Sequence, residues 1–206
     1  MTEEDIDLIE RREAYRGYLR IDSYRLRHRL FAGGWSRPLA REVLDRGRCV
    51  GVLLFDPSRD VAVLIEQFRI GALVANRPPW VVEVVAGVIE NGQPADVVAR
   101  REAREEANCE VLDLMPICDY VVSPGCSSET VALFCGRVDS GDAGGVHGLA
   151  HEGEDIRVSP LPTAKALAAL AEGRIANSMS IIALQWLALN HEALRRRWLG
   201  ANAQHT

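Results

Sequence analysis

Residues 87–109 have the sequence GVIENGQPADVVARREAREEANC, and this stretch decides how the rest of the chain is interpreted. Helical residues rotate by about 100° each, so Glu102, Glu105 and Glu106 share one face of the helix that begins near Pro94. Three carboxylates on one face repel one another unless a cation lies among them. The stretch predicts a turn, then a short helix with a cation-binding face.

The other side of this helix shows how it is held in the fold. A narrow stripe of small residues, Ala99, Ala103 and Ala107, lies beside the acidic face. Such a stripe is suited to close packing on a sheet. Upstream, the apolar run 80–85 predicts a strand, Asn91-Gly92 predicts a left-handed turn, and Pro94 suits the first helical position. The motif is therefore strand, turn and helix.

Taken alone, REAREE is more typical of a solvent-exposed helix with Arg/Glu pairs. The wider stretch, however, resembles the Nudix box, G-xxxxx-E-xxxxxxx-R-E-U-x-E-E-x-G-U, where U is aliphatic. The residues in register are Gly87, Arg101, Glu102, Ala103, Glu105 and Glu106. Gln93 and Asn108 depart from the family's Glu and Gly. We expect Gln93 to accept a hydrogen bond from Arg101, and Asn108 to adopt the left-handed conformation at the helix end.

The resemblance and the apolar patterns together predict an α/β (α+β) fold of two parts. Alternation around Tyr24 and Leu26 predicts a small antiparallel sheet in residues 1–46, which the resemblance assigns to dimerisation and substrate contacts. Residues 47–206 form the expected Nudix hydrolase domain, a mixed sheet between helices. Its strands are predicted at 50–55, 61–68, 79–87, 117–123, 130–138 and 156–161, and its helices at Thr163–Glu172 and Ser178–Leu194. The Gly-rich stretch 140–147 is expected to be a mobile loop.

Composition excludes several classes of function. The net charge is −5 and no long Lys/Arg block occurs, so we expect no nucleic-acid partner. No apolar run reaches the roughly 20 residues of a membrane span, and no leader pattern is present, so we expect no membrane partner and a cytoplasmic location. The five cysteines are odd in number and include no CxxC pair, which argues against a disulfide framework or structural zinc.

The resemblance implies a divalent-metal site on the box helix. In Nudix enzymes the positions of Glu102 and Glu106 bind metal, and the position of Ala86 offers its backbone carbonyl. Glu105 assists as a ligand or through water, so we group it with the catalytic residues. Hard oxygen ligands indicate magnesium or manganese, with roughly two or three ions per site.

A second acidic cluster, Glu152, Glu154 and Asp155, follows in GLAHEGEDIRV. By itself it is typical of a solvated loop. The segment and its surroundings resemble the bacterial ADP-ribose pyrophosphatase branch of the family, which implies Glu152 as the general base and Glu154 as a further metal ligand. Pro124 lies at a distance from the box that marks ADP-ribose enzymes and is the best indication of the substrate; the alternative interpretation is a turn proline.

The same resemblance implies the substrate contacts. Arg69 matches an arginine near the adenine and phosphates, and Glu129 matches a substrate residue in the loop after Pro124. Tyr18 and Arg41 match an aromatic and an arginine that come from a partner subunit, which requires a homodimer. The expected activity is magnesium-dependent hydrolysis of ADP-ribose to AMP and ribose 5-phosphate. The alternatives are another nucleoside diphosphate sugar such as GDP-mannose, or a non-catalytic ADP-ribose sensor.

Overall fold

The computed structural model describes residues 2–90, 92–149, 151 and 153–200. The chain divides into two compact units. One comprises the residues up to Arg48 together with Tyr120–Thr130, and the other comprises Cys49–Asp119 and the residues from Val131 onward. Each unit is described separately below.

The first unit is built on a three-stranded antiparallel sheet in the order β1, β2, β3. A 3-10 turn at Glu3–Asp5 precedes β1 (Ile6–Arg16), β2 (Arg20–His28) and β3 (Leu39–Asp45). Asp22 of the middle strand is buried and accepts from the Arg11 guanidinium at 2.6 Å. Strand β2 contains Tyr24 and Leu26, around which the alternation predicted a strand.

The second unit holds the larger sheet, in the order β10-β11-β5-β4-β9-β8, with β6 also pairing with β5 and β7 with β4. Its strands are β4 (Arg48–Asp56), β5 (Val61–Phe68), β6 (Trp80–Glu83), β7 (Val85–Ile89), β8 (Asp113–Val121), β9 (Thr130–Arg137), β10 (Gly145–His147) and β11 (Ile156–Pro162). The predicted strands at 50–55, 61–68, 130–138 and 156–161 are confirmed within a few residues. The stretch 140–147 was predicted as a loop, but it contains β10, which pairs with β11.

The run predicted as one strand at 79–87 is interrupted at Val84. Strands β4 and β6 pair with successive parts of β5. Val63 of β5 pairs with β4, whereas Ile65 pairs with Glu83 of β6. After Val84 the chain leaves β5, and β7 pairs with β4. This crossover brings β7 to the start of the box.

Helices cover both faces of the larger sheet, as the fold class predicts. They are α1 (Ile70–Val74), α2 (Ala95–Ala107), α3 (Thr163–Ala171) and α4 (Ser178–Leu199). Successive strand residues point to opposite faces. Val52 and Leu54 of β4 therefore join the core beneath α2, while Phe55 faces α4, where its ring lies 6.3 Å from that of Trp198.

Helix ends show where local patterns were insufficient. Pro94, expected at the first helical position, lies one residue earlier as the extended N-cap of α2. Helix α4 was expected to end at Leu194 but continues to Leu199. The extension is explained by Trp198, which is buried one turn beyond Leu194 and whose indole donates to Asp113 at 2.8 Å.

No described helix is both long and apolar enough to cross a membrane. All five cysteines are free, and Cys118 and Cys126 are exposed.

A buried carboxylate organises the turn after β4. Asp56 is 1% exposed and accepts hydrogen bonds from the backbone amides of Ser58, Arg59 and Ser140, the Ser140 hydroxyl and the Arg59 guanidinium. Burial alone raises the pKa of Asp56, but the hydrogen bonds from Ser140 and Arg59 outweigh it and lower the pKa from 3.8 to about 2. A lowered folded-state pKa contributes stability above pH 3.8 that is lost as the pH falls toward 2.

We therefore expect Asp56→Asn to lower the free energy of unfolding by about 2–4 kcal/mol, because an amide turns N–H groups toward donors that need an acceptor. Urea unfolding at pH 7 measures the change. The matched control is Asp139→Asn, since Asp139 also binds Arg59 but has a 70% exposed side chain, and we expect about 1 kcal/mol or less there. Equal losses for the two variants would contradict a special role for the buried network.

Candidate active site

Glu106 is the most buried carboxylate of the box helix. The predicted small-residue stripe, Ala99, Ala103 and Ala107, is buried against the sheet. This packing leaves Glu106 only 3% exposed, with its Oε2 accepting from the Ala86 amide at 3.2 Å. Burial, together with the charges of Glu102 and Glu154, raises the pKa of Glu106 to about 8, against the lowering effect of the Ala86 amide and Arg69.

Glu102 and Glu105 lie beside it on the same helix. Arg101 donates to Glu102 at 2.7 Å, and its Nε lies 3.7 Å from Glu105. Burial raises the pKa of Glu102, with Arg101 opposing the shift and the carboxylates of Glu105 and Glu154 adding to it. The acidic face predicted from the helical spacing is thus present, and its members influence one another electrostatically.

Gly87 leaves the space that the Glu102 side chain occupies. A β-carbon at this position would overlap the Glu102 carboxylate. Because the overlap is with the flexible end of a side chain, we expect Gly87→Ala to cost little stability but to displace the carboxylate. Hydrolytic activity should fall by about tenfold to a hundredfold with a melting temperature near that of the wild type. Gly125→Ala, at a glycine with open space, is the control. Full activity in Gly87→Ala would show that the position of Glu102 is not critical.

Glu154 belongs to the same electrostatic group. Its Oε2 accepts from the Leu149 amide at 2.8 Å, and its charge acts on both Glu102 and Glu106. Glu154 of the second acidic cluster therefore lies within electrostatic range of the box helix, and its ligand role remains a prediction. Glu152, the predicted general base, lies outside the described residues.

The donor set suits a hard divalent cation. Glu102, Glu106 and Glu154 supply carboxylate oxygens, and two of them have raised pKa values partly because their negative charges are close together. Within the described part of the chain, however, no three Asp, Glu, His or Cys side chains already form a metal-holding group. The Ala86 amide donates to Glu106, and the ligand role of the Ala86 carbonyl remains a prediction.

Arg69 has a partner that sequence reasoning missed. Both Nε and Nη2 of Arg69 lie 2.8 Å from Oε2 of Glu83. Burial raises the pKa of Glu83, and Arg69 opposes the shift. An acid within the apolar run WVVEVV was the available signal. Arg69 also lowers the pKa of Glu106, so this predicted substrate residue lies within electrostatic range of the box.

The two departures from the box have different outcomes. Asn108 has φ 51° and ψ 34° at the end of α2, which confirms the left-handed conformation. The expected hydrogen bond from Arg101 to Gln93 does not form: Gln93 Oε1 is buried and has no hydrogen-bond partner among the described residues, and Arg101 binds Glu102 instead. A carboxylate on the same helix is the stronger competitor for the guanidinium.

The remaining predicted substrate residues lie in the first unit. Tyr18 is 90% exposed, with the Arg46 guanidinium 5.8 Å from the centre of its ring. Arg41 is exposed and donates to the Ala40 carbonyl, and the Glu129 amide donates to the Ser127 hydroxyl at 3.1 Å. Their substrate roles remain predictions.

Comparison with known proteins decides the family. The sequence model of the NUDIX domain matches residues 45–176, which include the box and the second acidic cluster. The chain belongs to the Nudix family. A solved structure titled as that of an ADP compounds hydrolase superimposes on this Nudix chain with a TM-score of 0.71, covering 92% of this chain and 96% of the other. At 17% sequence identity, this match supports the fold alone.

Curated relatives are closer in sequence. ADP-ribose pyrophosphatase of Escherichia coli strain K12 is 47% identical over 194 residues, covering 94% of this chain and 93% of the relative. The Haemophilus influenzae protein of the same name is 39% identical over 200 residues, covering 96% and 92%. A GDP-mannose pyrophosphatase of Escherichia coli strain UTI89 is 34% identical over 153 residues, covering 73% and 78%.

Proposed function

We propose that this protein hydrolyses the pyrophosphate of ADP-ribose to AMP and ribose 5-phosphate. The observation that carries the proposal is the buried Glu106, bonded to Ala86 with the charges of Glu102 and Glu154 around it. Glu102 and Glu106 lie on a Nudix box, in a chain that aligns over nearly its whole length with relatives named ADP-ribose pyrophosphatase.

The metal proposed for this site is magnesium, or manganese as a second choice. Glu102, Glu106 and Glu154, with the Ala86 carbonyl, would hold roughly two or three ions, and Glu105 would assist directly or through water. When bound, such ions neutralise phosphate charge and make a coordinated water more acidic. The burial of Glu106 suits this role, because a buried carboxylate that forms no ion pair with the described residues favours binding of a cation.

The proposed chemical step is hydrolysis of the pyrophosphate bond. Water oxygen forms a bond to one phosphorus, and the bond between that phosphorus and the bridging oxygen breaks. The bridging oxygen leaves with the other phosphate and is protonated from the medium. We propose Glu152 as the group that takes the proton from the attacking water, because the resemblance to the ADP-ribose pyrophosphatase branch assigns the general base to this position and a carboxylate can accept that proton.

Arg69 is the proposed phosphate contact in the second unit. The two 2.8 Å contacts from Arg69 to one oxygen of Glu83 fix the guanidinium while its remaining donors stay available to a ligand. We also propose Glu129, in the first unit, as a residue that contacts the substrate.

We further propose a homodimer formed through the first unit. Strand β1 is exposed along nearly its whole length, including Ile6, Leu8 and Tyr15, and a sheet of this size gains stability by packing on another surface. Two-fold symmetry is the commonest closed arrangement. Tyr18 and Arg41 of one subunit would then complete the substrate site of the other.

Subunit mixing tests the shared site. A Tyr18→Ala/Arg41→Ala subunit lacks the donated residues, whereas a Glu106→Gln subunit lacks a metal ligand. Each homodimer should be nearly inactive, but the mixed dimer should regain one intact site. Activity should therefore recover after subunit exchange in proportion to the mixed dimers measured by native mass spectrometry. A monomer, or mixed dimers without activity, would refute the shared site.

A panel of nucleoside diphosphate sugars tests substrate choice. The purified protein is incubated with magnesium and ADP-ribose, GDP-mannose or related compounds, and initial rates are compared. We expect the highest kcat/KM for ADP-ribose. The 34% identical GDP-mannose pyrophosphatase is the observation that keeps the alternative substrate under test. Faster release of GMP from GDP-mannose would favour that alternative. A cytoplasmic location and the absence of nucleic-acid binding remain predictions from composition.

A further inference from the structure

The start of helix α4 is hydrogen-bonded to the backbone of residues 82–84, which lead into the box. Asn177 Oδ1 accepts from the Ser180 amide at 2.9 Å, and its Nδ2 donates to the Val82 carbonyl at 3.0 Å. The Ser180 hydroxyl, which has no exposed surface, accepts from the Val84 amide at 2.9 Å. We call Asn177 and Ser180 the α4 clip. It bonds the backbone on both sides of Glu83.

The α4 clip contacts the backbone between two strands of the sheet. Val84 lies between β6 and β7, where the chain leaves β5 to pair with β4. Val84 is 1% exposed, and its amide donates to a side chain instead of a neighbouring strand. A buried amide without a partner is costly, so Ser180 stabilises the crossover at this position.

Two side chains of the candidate site, Arg69 and Glu106, form hydrogen bonds with residues on either side of this crossover. On one side, Glu83 binds Arg69. On the other side, the Ala86 amide binds Glu106, two residues beyond Val84. A shift of the backbone at Val84 therefore displaces the phosphate-contacting side chain and the metal-binding backbone together.

We infer that Asn177 and Ser180 are positioning residues, which act through the backbone at 82–84 to set the geometry of the box. Neither side chain is proposed to touch substrate or metal. The kinetic consequence rests on the proposed function, whereas the structural consequence is measurable without any substrate.

Two variants separate this role from folding of the helix. Asn177→Asp keeps a good N-cap acceptor for Ser180 but places an acceptor against the Val82 carbonyl. Ser180→Ala removes the acceptor of the Val84 amide without a change in charge. Ser178→Ala is the matched control, because Ser178 is an exposed serine at the start of the same helix.

The kinetic test measures the magnesium concentration that gives half-maximal hydrolysis of ADP-ribose. We expect it to rise about tenfold in Asn177→Asp and Ser180→Ala and to stay unchanged in Ser178→Ala. A purely structural role would reduce the amount of active enzyme at every magnesium concentration without moving this midpoint. If Ser180→Ala fails to fold, Asn177→Asp decides, since its helix cap is kept.

The second readout is amide hydrogen exchange by NMR in the metal-free protein. Exchange at Val84 and Ala86 should accelerate about tenfold or more in both clip variants, with the amides of Leu53 and Leu54 unchanged. Wild-type exchange at Val84 and Ala86, or accelerated exchange with an unmoved magnesium midpoint, would overturn the inference. A wild-type protein that does not hydrolyse ADP-ribose would refute the proposed function, and the exchange rates alone would then decide whether the clip holds the crossover.

Discussion

Replacing Glu106 with Gln should lower hydrolysis by about a hundredfold or more at magnesium concentrations that saturate the wild type. Gln can still accept from the Ala86 amide, so the loss reports the missing charge and not a collapsed site. Because the expected defect is in metal binding, added magnesium should recover part of the activity. Steady-state rates across a magnesium titration measure both effects, and calorimetry with manganese measures the affinity directly.

The same variant should stabilise the metal-free protein at alkaline pH. Burial and the neighbouring carboxylates raise the pKa of Glu106 from 4.5 to about 8. A carboxylate with a raised folded-state pKa favours the fold while protonated, and this contribution is lost as the pH rises from about 4.5 through about 8. At pH 8, the free energy of unfolding of Glu106→Gln, measured with urea, should therefore exceed that of the wild type by on the order of 1–2 kcal/mol. A less stable variant with normal metal affinity would contradict the assignment of Glu106.

Replacing Glu152 with Gln should lower turnover by about 10²- to 10⁴-fold with substrate affinity nearly kept. Gln keeps the size and hydrogen bonding of Glu but cannot take a proton. Unlike Glu106→Gln, this variant should bind manganese normally, and added magnesium should not rescue it. If Glu152→Gln retains near-normal turnover while Glu105→Gln abolishes it, the general base belongs to the box helix.

The box helix was predictable because its information is local. Periodicity alone placed three carboxylates on one face of α2 and three alanines in a stripe beside that face, and those alanines are buried. The left-handed Asn108 also followed from local conformational preference. Runs of apolar residues located β4, β5, β9 and β11 within a few residues, since buried strands produce continuous apolar segments.

The missed features depend on contacts between residues distant in sequence. The run WVVEVVAG gives no local sign of a break, because the interruption at Val84 is stabilised by Ser180, ninety-six positions later. The extension of α4 depends on Trp198 reaching Asp113. Strand β10 forms in a Gly-rich stretch because β11 offers it an edge. The competition between Glu102 and Gln93 for Arg101 likewise depends on side-chain geometry.

Product analysis with ADP-ribose alone tests directly whether the protein hydrolyses this substrate. Purified protein is incubated with ADP-ribose and magnesium, with a parallel sample in EDTA, and the products are quantified by anion-exchange chromatography and phosphorus NMR. We expect AMP and ribose 5-phosphate in equal amounts, and no product in EDTA. Binding of ADP-ribose without release of AMP in magnesium would contradict the proposed hydrolysis and identify the protein as a sensor.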